Sequence, residues 1–411
     1  MNNIIDYLPK MKTGKELISA LEVLPEYTED ICSMDSVTRL IALSDLYKIY
    51  IPSFMSVEIY SKLYLALIRS INKKQTKLAT VQQNENFKAV SGYEYRGIMG
   101  GSDSFTIIGA SGIGKSSAIS RAITLITEDK IIQTTEPYSK IIPCVIVQCP
   151  FDSSVKGLLL EILRKVDESI DSSYYEKALR SRATTDMLIG SVSQVALNHI
   201  GLLIVDEIQN VVNSKNGKSL VGSLTQLINN SGISICMVGT PESSIFFEQA
   251  MQLARRSLGL NYGEMKYDEH FRQFCEQLFS YRYVKQEMIL TDSIIQWLYE
   301  HSNGITSVVV SLIHDAQEIA ILNNTETLSI ENLEEAYQKR LSLLHSYIKP
   351  QMPSNTVSKK SERINIKRIE NAKNEHINAN LLQEILSKSK SEQIDILTLM
   401  RDKIQVEEVR I

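Results

Sequence analysis

The sequence predicts an α/β protein organised on a parallel β-sheet, and three observations carry that expectation. Between residues 96 and 265, short apolar, β-branched runs alternate with longer segments of helical period. Runs of this kind, separated by helices, suit strands that are covered on both faces. The first run, residues 105–108, leads into a glycine-rich stretch and then into an apolar helical pattern. A later run, residues 201–205, is wholly apolar and ends in two adjacent acids, Asp206 and Glu207.

Taken in order, residues 1–95 have helical period without strand-like alternation. Val57, Ile59, Tyr60, Leu63, Tyr64, Leu67 and Ile68 share one helical stripe. This region is read as a packed helical extension, with partner docking as its functional alternative. Within 96–265, strands are expected at 105–108, 144–148, 202–205 and 233–238, and a helix at 116–126. Residues 266–347 return to helical period. Phe271, Phe274, Cys275 and Leu278 share a face, as do Ile294, Ile295, Leu298 and Tyr299, and then Val309, Leu312, Ile313 and Ile319. They predict a small bundle. Residues 348–411 are polar, with a basic cluster of Lys359, Lys360, Arg363, Lys367, Arg368 and Lys373, and one further short helix is expected at 385–406.

Composition excludes some classes. The chain has 411 residues, 43% apolar and 22% charged, with a formal net charge of −4. A general basic nucleic-acid coat is excluded, so any nucleic-acid contact must come from local patches. The five cysteines (Cys32, Cys144, Cys149, Cys236, Cys275) include no second pair or histidine cluster that would complete a zinc site around Cys144 and Cys149. They read as reduced thiols. No targeting pattern opens the sequence and no run is long and apolar enough to span a membrane. The expected location is cytoplasmic.

The chemistry concentrates in four places. Gly109-Ala110-Ser111-Gly112-Ile113-Gly114-Lys115-Ser116, followed by Ser117, is a complete phosphate-binding loop of the Walker A type. Glycines let the backbone wrap a phosphate with its N–H groups inward, and the following helix points its positive end at the anion. Lys115 supplies charge for the β- and γ-phosphates of ATP, and the Ser116 hydroxyl is a magnesium ligand. Asp206, at a strand end, can reach the magnesium shell, while Glu207 can orient or deprotonate a water. Thr240 follows a third strand and can bond the attacking water or the γ-phosphate. Arg255 and Arg256 read equally as an arginine finger acting on a neighbouring subunit or as a solvated basic face.

In that order the elements resemble an AAA+ ATPase. More closely, GASGIGKSS, CPFDSS, HIGLLIVDEIQNV, VGTPES, ARRSLG and FCEQLFSYRYVK resemble the TnsC/TniB family of transposition regulators over residues 15–345. The resemblance implies an AAA+ α/β core at 96–265, a helical lid at 266–347, an N-terminal helical extension at 1–95 and a tail at 348–411. It implies a protein that binds ATP and Mg2+ and assembles as a homo-oligomeric ring or helical filament around duplex DNA. Such a protein selects the insertion target, recruits and activates the transposase, and disassembles on hydrolysis. The recruiting partner would be a target-selector protein or an RNA-guided complex. Lys115 and Ser116 are then nucleotide and magnesium contacts, Asp206 and Glu207 the acidic pair, Thr240 the sensor, and Arg255 or Arg256 the finger. One departure is that residues 304–308 carry no basic side chain where many AAA+ lids have an arginine, which implies either slow hydrolysis or the absence of that sensor. DNA-contact candidates are Lys140, Lys156, Arg180, Arg182, Lys215, Lys218 and the tail cluster. A helicase loader or a non-hydrolysing ATP-gated scaffold are the alternatives.

Overall fold

The glycine-rich loop is placed by a strand buried along its whole length, β1 (Phe105–Gly109). In the computed structural model, β1 is one of six strands. The others are β2 (Ile132–Gln133), β3 (Lys140–Gln148), β4 (Ile200–Asp206), β5 (Ser234–Gly239) and β6 (Leu258–Tyr262). They form one sheet in the order β2-β3-β4-β5-β1-β6, with β2 antiparallel to β3 and every other pairing parallel. The structure describes residues 4–91, 93, 96–98, 104–133, 140–152, 154–211, 217–244, 258–287 and 289–345. The chain divides into two units, Met1–Met352 and Pro353–Ile411, and the second lies outside the described residues.

Thirteen α-helices accompany the sheet among the described residues: α1 (Gly14–Leu21), α2 (Ser36–Ala42), α3 (Phe54–Lys74), α4 (Lys77–Val90), α5 (Lys115–Thr127), α6 (Val155–Ile170), α7 (Tyr174–Arg180), α8 (Thr185–His199), α9 (Gly217–Ser231), α10 (Glu269–Phe279), α11 (Asp292–Ser302), α12 (Thr306–Leu322) and α13 (Ile330–Arg340). The two-residue period of the strands sorts side chains to two faces. Phe105, Ile107, Leu202, Ile204, Cys236 and Val238 meet α1, α3 and α5 on one face. Ile108, Val145, Val147, Leu203, Val205, Ile235 and Met237 meet α6, α8 and α9 on the other. Both faces are covered, which is why these strands read as continuous apolar runs.

The predicted stripe of α3 is buried at Ile59, Tyr60, Leu63, Tyr64 and Leu67, and it forms a layer of the sheet itself. A separate core joins α10 to α13, and Leu43 and Leu46 from the N-terminal region sit inside it. The N-terminal residues are thus shared between two cores. Strands β2 and β6 were not foreseen. The first is two residues long. The second contains Gly259 and Asn261, residue types depleted in strands. It is held by pairing with β1, from Phe105 opposite Leu258 to Gly109 opposite Tyr262. The helix expected at 385–406 lies outside the described residues.

Burial pushes the thiols of Cys144, Cys149 and Cys275 up to about 12, and that of Cys236 well above its ordinary value. A folded pKa above the unfolded one gives stability that is full below about pH 9 and falls as pH rises towards the folded value. Cys236→Ala should therefore flatten the alkaline loss of stability by up to about 1.4 kcal/mol per pH unit. Urea unfolding at pH 8, 9 and 10 reads this directly, and parallel pH profiles for the two proteins would contradict it.

Candidate nucleotide-binding site

Parallel pairing puts the C-terminal ends of β1, β3, β4, β5 and β6 on one edge. Registers of Gln148 with Asp206, Ile108 with Gly239 and Gly109 with Tyr262 fix their relative heights. Because β5 lies between β4 and β1, Thr240 follows a strand flanked by Asp206 on one side and the glycine-rich loop on the other. The loop continues from Gly109 through Ala110, Ser111 and Gly112 to Ile113, and Gly114 precedes α5. Gly112 (φ 81) and Gly114 (φ 92) take left-handed conformations that residues with a β-carbon resist.

Lys115 is buried at 9% exposure, and its Nζ donates to the carbonyls of Gly109 and Ala110, each at 2.8 Å. Burial lowers its pKa, and the carboxylates of Asp206, Glu207 and Glu242 oppose that shift. Ser116 Oγ lies 3.5 Å from Asp206 Oδ2 across the site, with Ser117 next on the helix. Two hard oxygen donors facing each other beside a phosphate loop fit magnesium. Asp206 Oδ1 also accepts the Glu207 N–H at 2.8 Å. Glu207 stands at φ 57, a left-handed position uncommon for a residue with a side chain. Gln209 Nε2 donates to its carboxylate.

Three neighbours were not singled out from the sequence. The Thr240 side chain bonds Glu242, and that bond chiefly lowers the Glu242 pKa, with Lys115 attracting the same carboxylate. Tyr262, at the end of β6, donates to Glu58 Oε2 at 2.8 Å, which ties α3 to the site. Thr306, at the start of α12, donates to the Gly112 carbonyl at 2.9 Å. Glu242 lies just past a strand end whose signal was Thr240, Tyr262 ends a strand that the sequence did not foresee, and Thr306 is 194 residues from its partner.

Arg255 and Arg256 lie outside the described residues, as do Lys215 and the tail cluster, and the Lys218 side chain is not described. Lys140 opens β3 and donates to the Ile170 carbonyl at 3.1 Å, whereas Lys156 opens α6 at the opposite edge of the sheet. Arg180 pairs with Glu176 at 2.9 Å. Among the described residues no helix is long and apolar enough to cross a membrane.

The chain has distant structural similarities. It is 14% identical to a chain of Drosophila ORC bound to DNA, at TM-score 0.42, covering 96% of this chain and 80% of that one. The Aeropyrum pernix ORC1 protein in complex with DNA is 12% identical at TM-score 0.41, with coverages of 80% and 87%. The Aeropyrum pernix ORC2 protein is 16% identical at TM-score 0.39, with coverages of 78% and 81%. No curated protein matches the chain by sequence. The fold class is α/β as expected, a mostly parallel sheet that carries the glycine-rich loop, with helical regions before and after it. Residues 81–260 match the family described as Bacterial TniB protein, which is what this chain is similar to over that span.

Proposed function

We propose that this protein is an ATP-dependent, DNA-binding regulator of transposition that hydrolyses ATP slowly. The observation that carries the nucleotide reading is the approach of Ser116 to Asp206 beside a loop whose lysine is already buried within it. Magnesium held by these two oxygens would neutralise charge on the β- and γ-phosphates. Lys115 would exchange its two loop carbonyls for phosphate oxygens. Glu207 would orient the attacking water and take its proton, and Thr240 would hold that water or the γ-phosphate. Both groups have present partners, Gln209 donating to Glu207 and the Thr240 hydroxyl donating to Glu242, which must be displaced first. That displacement supports slow turnover, suited to a timer.

The rest of the proposal follows the TniB-family match and the motifs. ATP clasps neighbouring subunits, with Arg255 or Arg256 completing the site in trans. The oligomer encloses duplex DNA by backbone contacts, marks the insertion target, and engages the transposase and a target selector. Residues 1–95 and 348–411 are the proposed docking regions flanking the core at 96–265 and the lid at 266–347. With a slowly hydrolysed ATP analogue, magnesium and non-specific duplex DNA, negative-stain microscopy should show rings or filaments. Lys115→Ala should show none. Small DNA-free particles under the first condition would remove the assembly reading. A non-hydrolysing scaffold is the second reading, favoured by the occupied state of Glu207 and Thr240. It predicts the same assemblies with no phosphate release.

A further inference from the structure

The glycine-rich loop is held from outside by the start of α12. The Gly112 carbonyl accepts two hydrogen bonds, one from the Thr306 hydroxyl at 2.9 Å and one from the Ser307 backbone N–H at 3.1 Å. The approach is close: a β-carbon on Gly112 would fall 2.3 Å from Ser307 Oγ and 3.0 Å from Ile305 Cγ2.

The donors sit on a fixed element. Val308, Val309, Leu312 and Ile313 anchor α12 in the second core. Just before the helix, Gly304 donates to Ser302 Oγ at 3.1 Å and accepts from the Met265 N–H at 3.0 Å. The pair therefore reaches the loop with little freedom to move.

A trans peptide carries its C=O and the next N–H on opposite sides. Holding the Gly112 oxygen towards α12 turns the Ile113 N–H away from α12. We infer that Thr306 and the Ser307 backbone are positioning groups that preset the Gly112–Ile113 peptide with its N–H facing the concave side of the loop, ready for a nucleoside polyphosphate. Successive N–H groups on that side make an anion nest. Presetting one of them lowers the ordering cost of binding. The first turn of α12 carries no charged side chain, so the lid acts here by orientation and not by charge. The inference rests on the nucleotide reading above.

Thr306→Val keeps the side-chain shape and removes one of the two donors, while Thr306→Ser keeps the donor. Titration with magnesium–ADP should give about fivefold weaker binding for Thr306→Val and an affinity within about twofold of the parent for Thr306→Ser. Hydrogen exchange on the nucleotide-free protein should be faster in the peptide spanning residues 109–114 for Thr306→Val alone. A lower melting temperature for Thr306→Val with parental affinity and parental loop exchange would overturn the inference, because the bond would then only join lid to core. If Thr306→Val does not fold, Thr306→Ala is read in the same way. Lys115→Ala separates the two levels. Parental affinity in that variant, or no binding by the parent, would refute the nucleotide reading and the preset loop with it. Loss in Lys115→Ala with no change in Thr306→Val refutes the preset loop alone.

Discussion

Glu207→Gln should reduce ATP turnover by about 10²–10⁴-fold while leaving nucleotide binding nearly intact, the usual size of a lost general base. The position supports so selective an effect. Glu207 follows Asp206 at the end of β4, and its backbone N–H is held by Asp206 Oδ1 at 2.8 Å. Its left-handed φ of 57 is set by that turn, and glutamine adopts it as readily as glutamate. The substitution therefore removes a carboxylate without moving Ser116, Asp206 or Lys115. If the nucleotide clasps neighbouring subunits, the variant should also hold its assembly on DNA much longer than the parent. Phosphate release and the lifetime of complexes after dilution measure the two effects separately. Equal lifetimes with a clear loss of turnover would show that hydrolysis does not time disassembly.

Arg39→Ala should destabilise the protein by about 3–5 kcal/mol, the cost of stripping one partner from a buried ion pair. Arg39 lies on α2 with 1% exposure. Its guanidinium donates to both Glu326 oxygens, at 2.6 and 2.7 Å, and to the Tyr283 carbonyl at 3.0 Å. Alanine would leave the Glu326 carboxylate, among the described residues, with the Lys285 side chain and N–H as its remaining partners. The bridge also sets an acid dependence. The hydrogen bond from Arg39 lowers the Glu326 pKa, so its folded value lies below its unfolded one. That stabilisation is complete above the unfolded pKa, about 4.3, and is lost as pH falls through the folded value. Arg39→Ala should then lose less on acidification than the parent. The double variant Arg39→Met, Glu326→Leu should recover most of the stability, since a well-packed apolar pair of similar volume often replaces a buried bridge without loss. Urea unfolding at pH 7 and pH 4 tests all three statements. A loss below about 1 kcal/mol at pH 7 would mean the pair behaves as an exposed one.

The two variants probe features that differ in how far they could be read from the chain. Asp206 and Glu207 stood out because an apolar run ended in acids, a local pattern. The Arg39–Glu326 bridge links positions 287 residues apart, and neither carries any local mark of burial. The same contrast runs through the fold. Strand β4 and the stripe on α3 are visible because one buried face imposes a period on neighbouring residues. Strand β6 is not, because Gly259 and Asn261 disfavour a strand and only the edge of β1 makes one there.

The amino-acid sequence by itself determined the α/β class, and it marked the glycine-rich loop from Gly109 to Ser117 and the candidates Asp206, Glu207 and Thr240. Each depends on residues within a few positions of one another, where period, glycine and charge act through the local backbone. Tertiary structure alone decided that Ser116 faces Asp206. It also decided that α3 and Leu43 belong to two different cores, and that Thr306 grips Gly112. Those are meetings between elements distant in the chain or across a turn, set by strand order and by which apolar faces must cover each other. No short window of sequence carries that information, because it belongs to the packing of whole elements.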